Sequence, residues 1–200
     1  MEYRVLGALE AFGPDGRPAG LGGPKQRAVL ACLLANYNQA VSSDKLIDAV
    51  WGDTTPADPK SALQTYVSRL RKLLGEDSIG ARGSGYLLRV GPDDVDALVF
   101  ERLVHEAGSA LDRRNHAAAI ERYEHGLALW RGDAYADFMY ADFARGESER
   151  LEELRRTAIE NRLQVLLDQG RHREALPDLE QALAEEPLRE RLWALYMVAL

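Results

Sequence analysis

Between Ser61 and Leu74 an apolar residue returns every three or four positions: Leu63, Val67, Leu70, Leu74. At about 100° per residue these four fall on one narrow stripe, which predicts an amphipathic helix with that stripe turned to a core. Ser61, Thr65, Ser68, Arg69 and Lys72 gather on the opposite side, flanked by Gln64 and Arg71. The pattern then changes. Two short apolar arms, Ile79 to Arg82 and Tyr86 to Val90, surround Gly83-Ser84-Gly85. Glycines supply the positive φ of a tight turn, so this stretch predicts a β-hairpin with Arg82 at its bend.

Upstream, Tyr3 to Leu9 and Glu10 to Phe12 have the composition of short strands, with Pro14-Asp15-Gly16 as a turn. Gly22-Gly23-Pro24 breaks the chain, and Pro24 suits the first turn of a helix running through KQRAVLACLLANY. Ala28, Leu30, Ala31, Leu33 and Leu34 would face inward. Val41-Ser42-Ser43-Asp44 offers N-cap residues for a second helix, KLIDAVWG, closed by Gly52. A polar loop, DTTPADP, leads into the helix at Ser61. Strands, helix, helix, loop, helix and hairpin in that order predict a winged helix-turn-helix with an added N-terminal sheet over residues 1–95.

Residues 96–200 follow the helical period throughout. The expected helices are Asp96–Arg113, His116–Trp130, Ala141–Asp168, Arg171–Glu185 and Leu188–Leu200. Helix pairs joined by short Gly or Asn-His turns, as in DQGRHREAL, match tetratricopeptide hairpins. Trp130, Tyr135, Phe138, Tyr140 and Phe143 are expected to cluster as a packed inter-helix loop. The fold class is therefore mainly α with a small β component, a winged helix followed by an all-α, tetratricopeptide-like domain over 96–200.

Charge sharpens this division. The net charge is −7, yet residues 1–95 hold 11 Lys+Arg against 11 Asp+Glu, while residues 96–200 hold 14 against 21. Within 60–90 there are 6 basic residues and 2 acidic ones. Distribution matters more than the sum for a nucleic-acid partner. A polar, cationic helix can enter the major groove, where short hydroxyls allow close approach and long cations reach phosphates or guanine edges. A neighbouring cationic hairpin can touch the backbone or minor groove. The bland alternative, a solvated helix face beside a plain hairpin, lacks a reason for placing both together.

Other classes find little support. The single Cys32 lies in an apolar helical run, so it reads as a core thiol, and no disulfide or thiolate metal site is expected. His105, His116, His125 and His172 lack metal-ligand spacing, Gly22-Gly23-Pro24-Lys25 is no phosphate loop, and GSGY is no nucleophile elbow. No enzyme activity, metal or cofactor is expected. The apolar runs are too short for a membrane span, and the N-terminus MEYRVLGALEAF lacks a signal-peptide pattern, so a cytoplasmic protein is expected. The rival to a DNA reader is a helical-repeat scaffold with a degenerate winged helix.

Specific motifs carry a resemblance. LGGPKQRAVLACLL, LIDAVWGD, ALQTYVSRLRKLLG and GSGYLL resemble the OmpR-type winged helix of the SARP family, regulators of antibiotic pathways. VDALVFERLVHEA, GLALWRG, FARGESERLEELRRTAIENRL and EPLRERLWALYM resemble the bacterial transcriptional activator domain that follows it in that family. The resemblance implies an activator that binds promoter direct repeats as a homodimer. It assigns Ser61, Gln64, Thr65, Tyr66, Ser68, Arg69, Arg71 and Lys72 to the DNA-reading helix, Arg82 to the minor groove and Tyr86 to packing the wing, its hydroxyl near a phosphate. Ser68 departs from a cation found in many OmpR-type domains. The loop Gly52–Pro59, with Asp53, Thr54, Thr55 and Asp58, matches the segment that faces RNA polymerase, its promoter-recognition subunit or α subunit. The sequence shows no receiver-like N-terminal segment with a phosphoacceptor aspartate, so phosphorelay control is not expected. The family continues with further helices, which leaves a truncated C-terminus or a short member as alternatives.

Overall fold

The structure, a computed structural model, describes residues 1–200, the side chain of Asp53 excepted. The chain packs as two compact units, residues 1–99 with 130–151, and residues 100–129 with 152–200.

The first unit begins with an antiparallel pair, β1 (Glu2–Arg4) and β2 (Glu10–Phe12), in which Tyr3 faces Ala11. The expected strand from Tyr3 to Leu9 stops at Arg4. The reason is where its backbone groups go. The Val5 and Leu6 amides donate to the Asp96 carboxylate, and the Leu9 amide donates to Asp137. The carbonyls of Leu6, Val5 and Gly7 accept from the amides of Arg131, Tyr135 and Ala136. Residues 131–136 thus satisfy this stretch in an irregular pairing that no sheet ladder could make. At Gly7, φ is +145° and an added Cβ would lie 3.1 Å from the Arg131 Cβ, so a side chain there would be both strained and crowded.

Next come α1 (Pro24–Leu34), β3 (Val41–Ser42), α2 (Ser43–Trp51), α3 (Pro59–Leu74), β4 (Ile79–Arg82) and β5 (Gly85–Leu88). Pro24 opens α1, and the Ser42 hydroxyl caps α2 by accepting from the Lys45 amide. The three helices close on Val29, Leu30, Leu33, Leu34, Leu46, Leu63, Val67 and Leu70, all buried. The sheet order is β3-β5-β4, antiparallel throughout.

Two details of the hairpin differ from expectation. The bend is Gly83-Ser84 alone, and Gly85 already pairs with Arg82 and Ser42. The second arm ends at Leu88 rather than Val90. The Asn38 side chain brackets Val90, accepting from its amide and donating to its carbonyl, while the Asn38 amide takes the Leu88 carbonyl.

Residues 96–200 supply α4 (Asp96–Asp112), α5 (His116–Leu127), α6 (Asp142–Asp168), α7 (His172–Glu185) and α8 (Glu190–Ala199). In the second unit Leu163, Leu166, Ala175, Leu179, Leu183, Leu192 and Leu195 form one core shared by α6, α7 and α8. Glu160 of α6 is only 2% exposed. Its carboxylate is held by Arg189, just before α8, and by Arg191 at 3.1 Å. Arg189 also grips Glu153 through two bonds of 2.8 and 3.0 Å. That contact holds the Glu153 carboxyl below its usual range.

The expected aromatic cluster forms only in part. Tyr135 is buried with φ +54°, and Phe138 and Phe143 lie 5.6 Å apart, but Tyr140 is 90% exposed. The short helical turn Ala136–Phe138 carries Tyr140 past the cluster and out to solvent.

Candidate nucleic-acid interface

The helix α3 starts where its sequence supplies a cap. Asp58 accepts from the Ser61 amide at 3.1 Å, Pro59 occupies the first turn, and Gly75 follows the last residue at φ +108°. Arg71 and Lys72 lie in the last turn, where cations complement the helix dipole. Its buried residues are the four of the apolar stripe, Leu63, Val67, Leu70 and Leu74. Burying that stripe against α1 and α2 dictates which face looks out. Ser61, Gln64, Thr65, Ser68, Arg69 and Lys72 are exposed. The Thr65 hydroxyl donates to the Ser61 carbonyl, which leaves its oxygen able to accept.

Tyr66 and Arg71 are half-buried at the edges of this face. The Tyr66 ring lies 5.9 Å from that of Trp51, and the Lys25 ammonium sits 5.2 Å from the Trp51 ring centroid. Arg71 turns toward the hairpin. Its Nε donates to the Ile79 carbonyl at 2.8 Å, and its guanidinium carbon is 5.9 Å from the Tyr86 ring centroid. Tyr86 is itself half-buried.

Arg82 is exposed at the end of β4, beside the bend. The bend is tied down from α2: the Ser43 amide and hydroxyl both donate to the Ser84 carbonyl, at 3.1 and 2.6 Å. Gly85 completes the anchorage. A Cβ there would fall 2.0 Å from the Val41 carbonyl oxygen, so only glycine allows β5 to close on β3. Arg89 is exposed, and one of its terminal nitrogens donates to the Asp77 carbonyl at 3.1 Å.

In the loop before α3, Thr54 and Thr55 are exposed, yet their hydroxyls donate to the Trp51 and Gly52 carbonyls. Asp58 is exposed while capping α3. The side chain of Asp53 lies outside the described residues. The structure thus gathers α3's polar face and Arg82 in one unit and gives Arg71, Tyr66 and Asp58 contacts of their own.

Sequence reasoning missed Ser43, Asn38 and Gly85. Asn38 had a usable signal, since Asn just past a helix favours the left-handed conformation it adopts at φ +57°. Gly85 was read as one more turn glycine, and only the position of β3 distinguishes it.

Comparisons with known proteins bear on both halves. A family described as transcriptional regulatory protein, C terminal, matches residues 19–88, and one described as bacterial transcriptional activator domain matches residues 95–200. The regulatory protein AfsR of Streptomyces griseus is 36% identical over 200 residues, which is 100% of this chain and 20% of that protein. The transcriptional regulator RedD of Streptomyces coelicolor is 37% identical over 100% of this chain and 59% of its own length. The regulatory protein DnrI of Streptomyces peucetius is 35% identical over 100% of this chain and 77% of its own. The solved structure of Mycobacterium tuberculosis EmbR in complex with a low affinity phosphopeptide is similar at TM-score 0.93 and 30% identity, over 99% of this chain and 54% of that one. The chain therefore spans from a fifth to about three-quarters of the length of these relatives.

Proposed function

Because this chain belongs to the SARP family, regulators that join a winged helix to a bacterial transcriptional activator domain, we propose that it is a sequence-specific DNA-binding transcriptional activator. One observation carries the reading. Burial of the α3 stripe leaves Ser61, Gln64, Thr65, Ser68, Arg69 and Lys72 exposed in the same compact unit as the exposed Arg82. In this reading α3 lies in the major groove, Arg69 and Lys72 meet phosphates or guanine edges, and the hydroxyls permit close approach. Tyr66 lies at the groove edge. Arg82 reaches the neighbouring minor groove, with the Tyr86 hydroxyl near a phosphate.

One recognition helix specifies few base pairs, so two protomers bind direct repeats about one helical turn, roughly 10–11 bp, apart. Residues 1–95 serve DNA binding and residues 96–200 protein contact. The acidic balance of the second half suits contact with RNA polymerase rather than with DNA. The loop bearing Asp53, Thr54, Thr55 and Asp58 would face the promoter-recognition or α subunit. Cytoplasmic control of an antibiotic gene cluster completes the reading, as the SARP resemblance implies, and the likeness to the regulators RedD, DnrI and AfsR supports the regulatory role.

The test is binding of the full chain to duplexes selected in vitro from a random pool. Affinity should fall steeply with salt, and Arg69→Ala with Lys72→Ala should weaken it, with a base-contacting change costing about 1–3 kcal/mol. Unchanged binding of the double variant would overturn the assignment of α3. Purified polymerase on a promoter carrying the selected repeat then separates activation from mere occupancy.

A further inference from the structure

A reader that uses both a helix and a wing needs the distance between them held constant. Three contacts hold it here. At the base of the wing, Arg71 of α3 donates through Nε to the Ile79 carbonyl of β4 and lies near the Tyr86 ring of β5. In the middle, Gly85 presses against Val41 and Ser42 with no room for a Cβ. At the tip, Ser43 donates twice to the Ser84 carbonyl. Arg82, the wing's exposed cation, ends β4, the strand Arg71 grips.

We propose that Arg71 is a positioning residue for DNA recognition, with Ser43 as its counterpart at the tip, and that both act through Arg82. This rests on the DNA-binding reading above. By sequence Arg71 is one more cation among Arg69 and Lys72. By geometry its Nε is committed to a carbonyl of its own protein, and it is half-buried where Arg69 and Lys72 are exposed. The bond joins the recognition helix to the first strand of the wing. An ammonium at this position keeps the charge but lacks the planar guanidinium that serves the carbonyl and the ring together.

The experiment is a double-mutant cycle on the full chain, read by fluorescence anisotropy on an in vitro selected duplex at several salt concentrations. Arg71→Lys, Arg71→Gln and Ser43→Ala are each measured alone and with Arg82→Ala. Folding is checked by thermal melting, and binding is measured well below each midpoint. The expected result is a loss of about tenfold for both Arg71 variants, a size typical of coupled neighbours. The loss of affinity, with any change in salt slope, should vanish once Arg82 is alanine. Ser43→Ala should show the same non-additivity. Restoration of affinity by Arg71→Lys, or additivity with Arg82→Ala in affinity or in salt slope, would overturn the proposal and make Arg71 a direct contact. Were Arg71→Gln to unfold, Arg71→Lys and Ser43→Ala would complete the cycle alone. A wild-type chain that enriches no duplex would overturn the underlying reading, and this inference with it.

Discussion

Asp58 and Ser61 stand three residues apart, and the carboxylate of one accepts the amide hydrogen of the other at 3.1 Å. One of the two acidic residues of the proposed polymerase loop is thus also the cap of the proposed recognition helix. Asp58→Ala should cost about 1 kcal/mol of stability and weaken DNA binding by fraying α3. Asp58→Asn keeps the cap and removes the charge. In transcription assays on a promoter with the selected repeat, Asp58→Asn should bind like wild type and activate less. Equal activation would take Asp58 out of the polymerase contact.

Gly85→Ala should damage the wing more than any surface change. Its Cβ would collide with the Val41 carbonyl, a backbone atom that cannot swing away. A loss at the upper end of the overpacking range, about 3 kcal/mol, is expected in urea unfolding. The neighbouring Ser84→Ala, whose carbonyl rather than side chain accepts from Ser43, should stay within about 0.5 kcal/mol of wild type.

Asp96 makes a pH prediction. Burial raises its carboxyl above the ordinary value, and the Val5 and Leu6 amides and Arg131 pull it only part of the way back. Its folded pKa therefore exceeds its unfolded one. The associated stability is complete below the unfolded pKa and is lost as pH rises through the raised folded value. The advantage of wild type over Asp96→Asn should narrow over that window in urea titrations. An advantage that widens with pH would show that the Arg131 pairing outweighs burial.

The buried Glu160 should be sensitive to its partners. Arg189 and Arg191 both pair with it, so losing Arg189 leaves Arg191 in place and should cost less than the roughly 3–5 kcal/mol of leaving a buried charge without any partner. Arg189→Met also leaves Glu153 with Arg156 alone, and because Glu153 is largely exposed this adds little. Arg189→Met should thus lower the melting midpoint clearly, and Glu160→Gln should restore part of the loss in the double variant.

What could be read ahead of the structure was local. The stripe of Leu63, Val67, Leu70 and Leu74 announces α3, because helix burial repeats within a few residues. The Ser42 cap and the hairpin glycines are equally short-range. The extent of the first strand was not legible, since Val5 and Leu6 are satisfied by Asp96, Arg131 and Tyr135, remote in sequence. The role of Arg71 was hidden for a related reason. Its carbonyl partner is presented by a strand whose place depends on β3, which two residues of sequence barely signal. Glu160 looked like one charge among many on a long helix, and only the return of Arg189 and Arg191 shows that it is buried.

The irregular pairing of residues 5–9 with 131–137 sets an order in time. A ribosome delivers the amino-terminal residues first, and domains commonly fold as they emerge. Here the Leu9 amide waits for Asp137, and the carbonyls of Val5, Leu6 and Gly7 wait for Tyr135, Arg131 and Ala136. The residues of α3, the helix that would meet DNA, are synthesised before residues 130–151. The compact unit that holds them is finished only after residues 130–151 have been made.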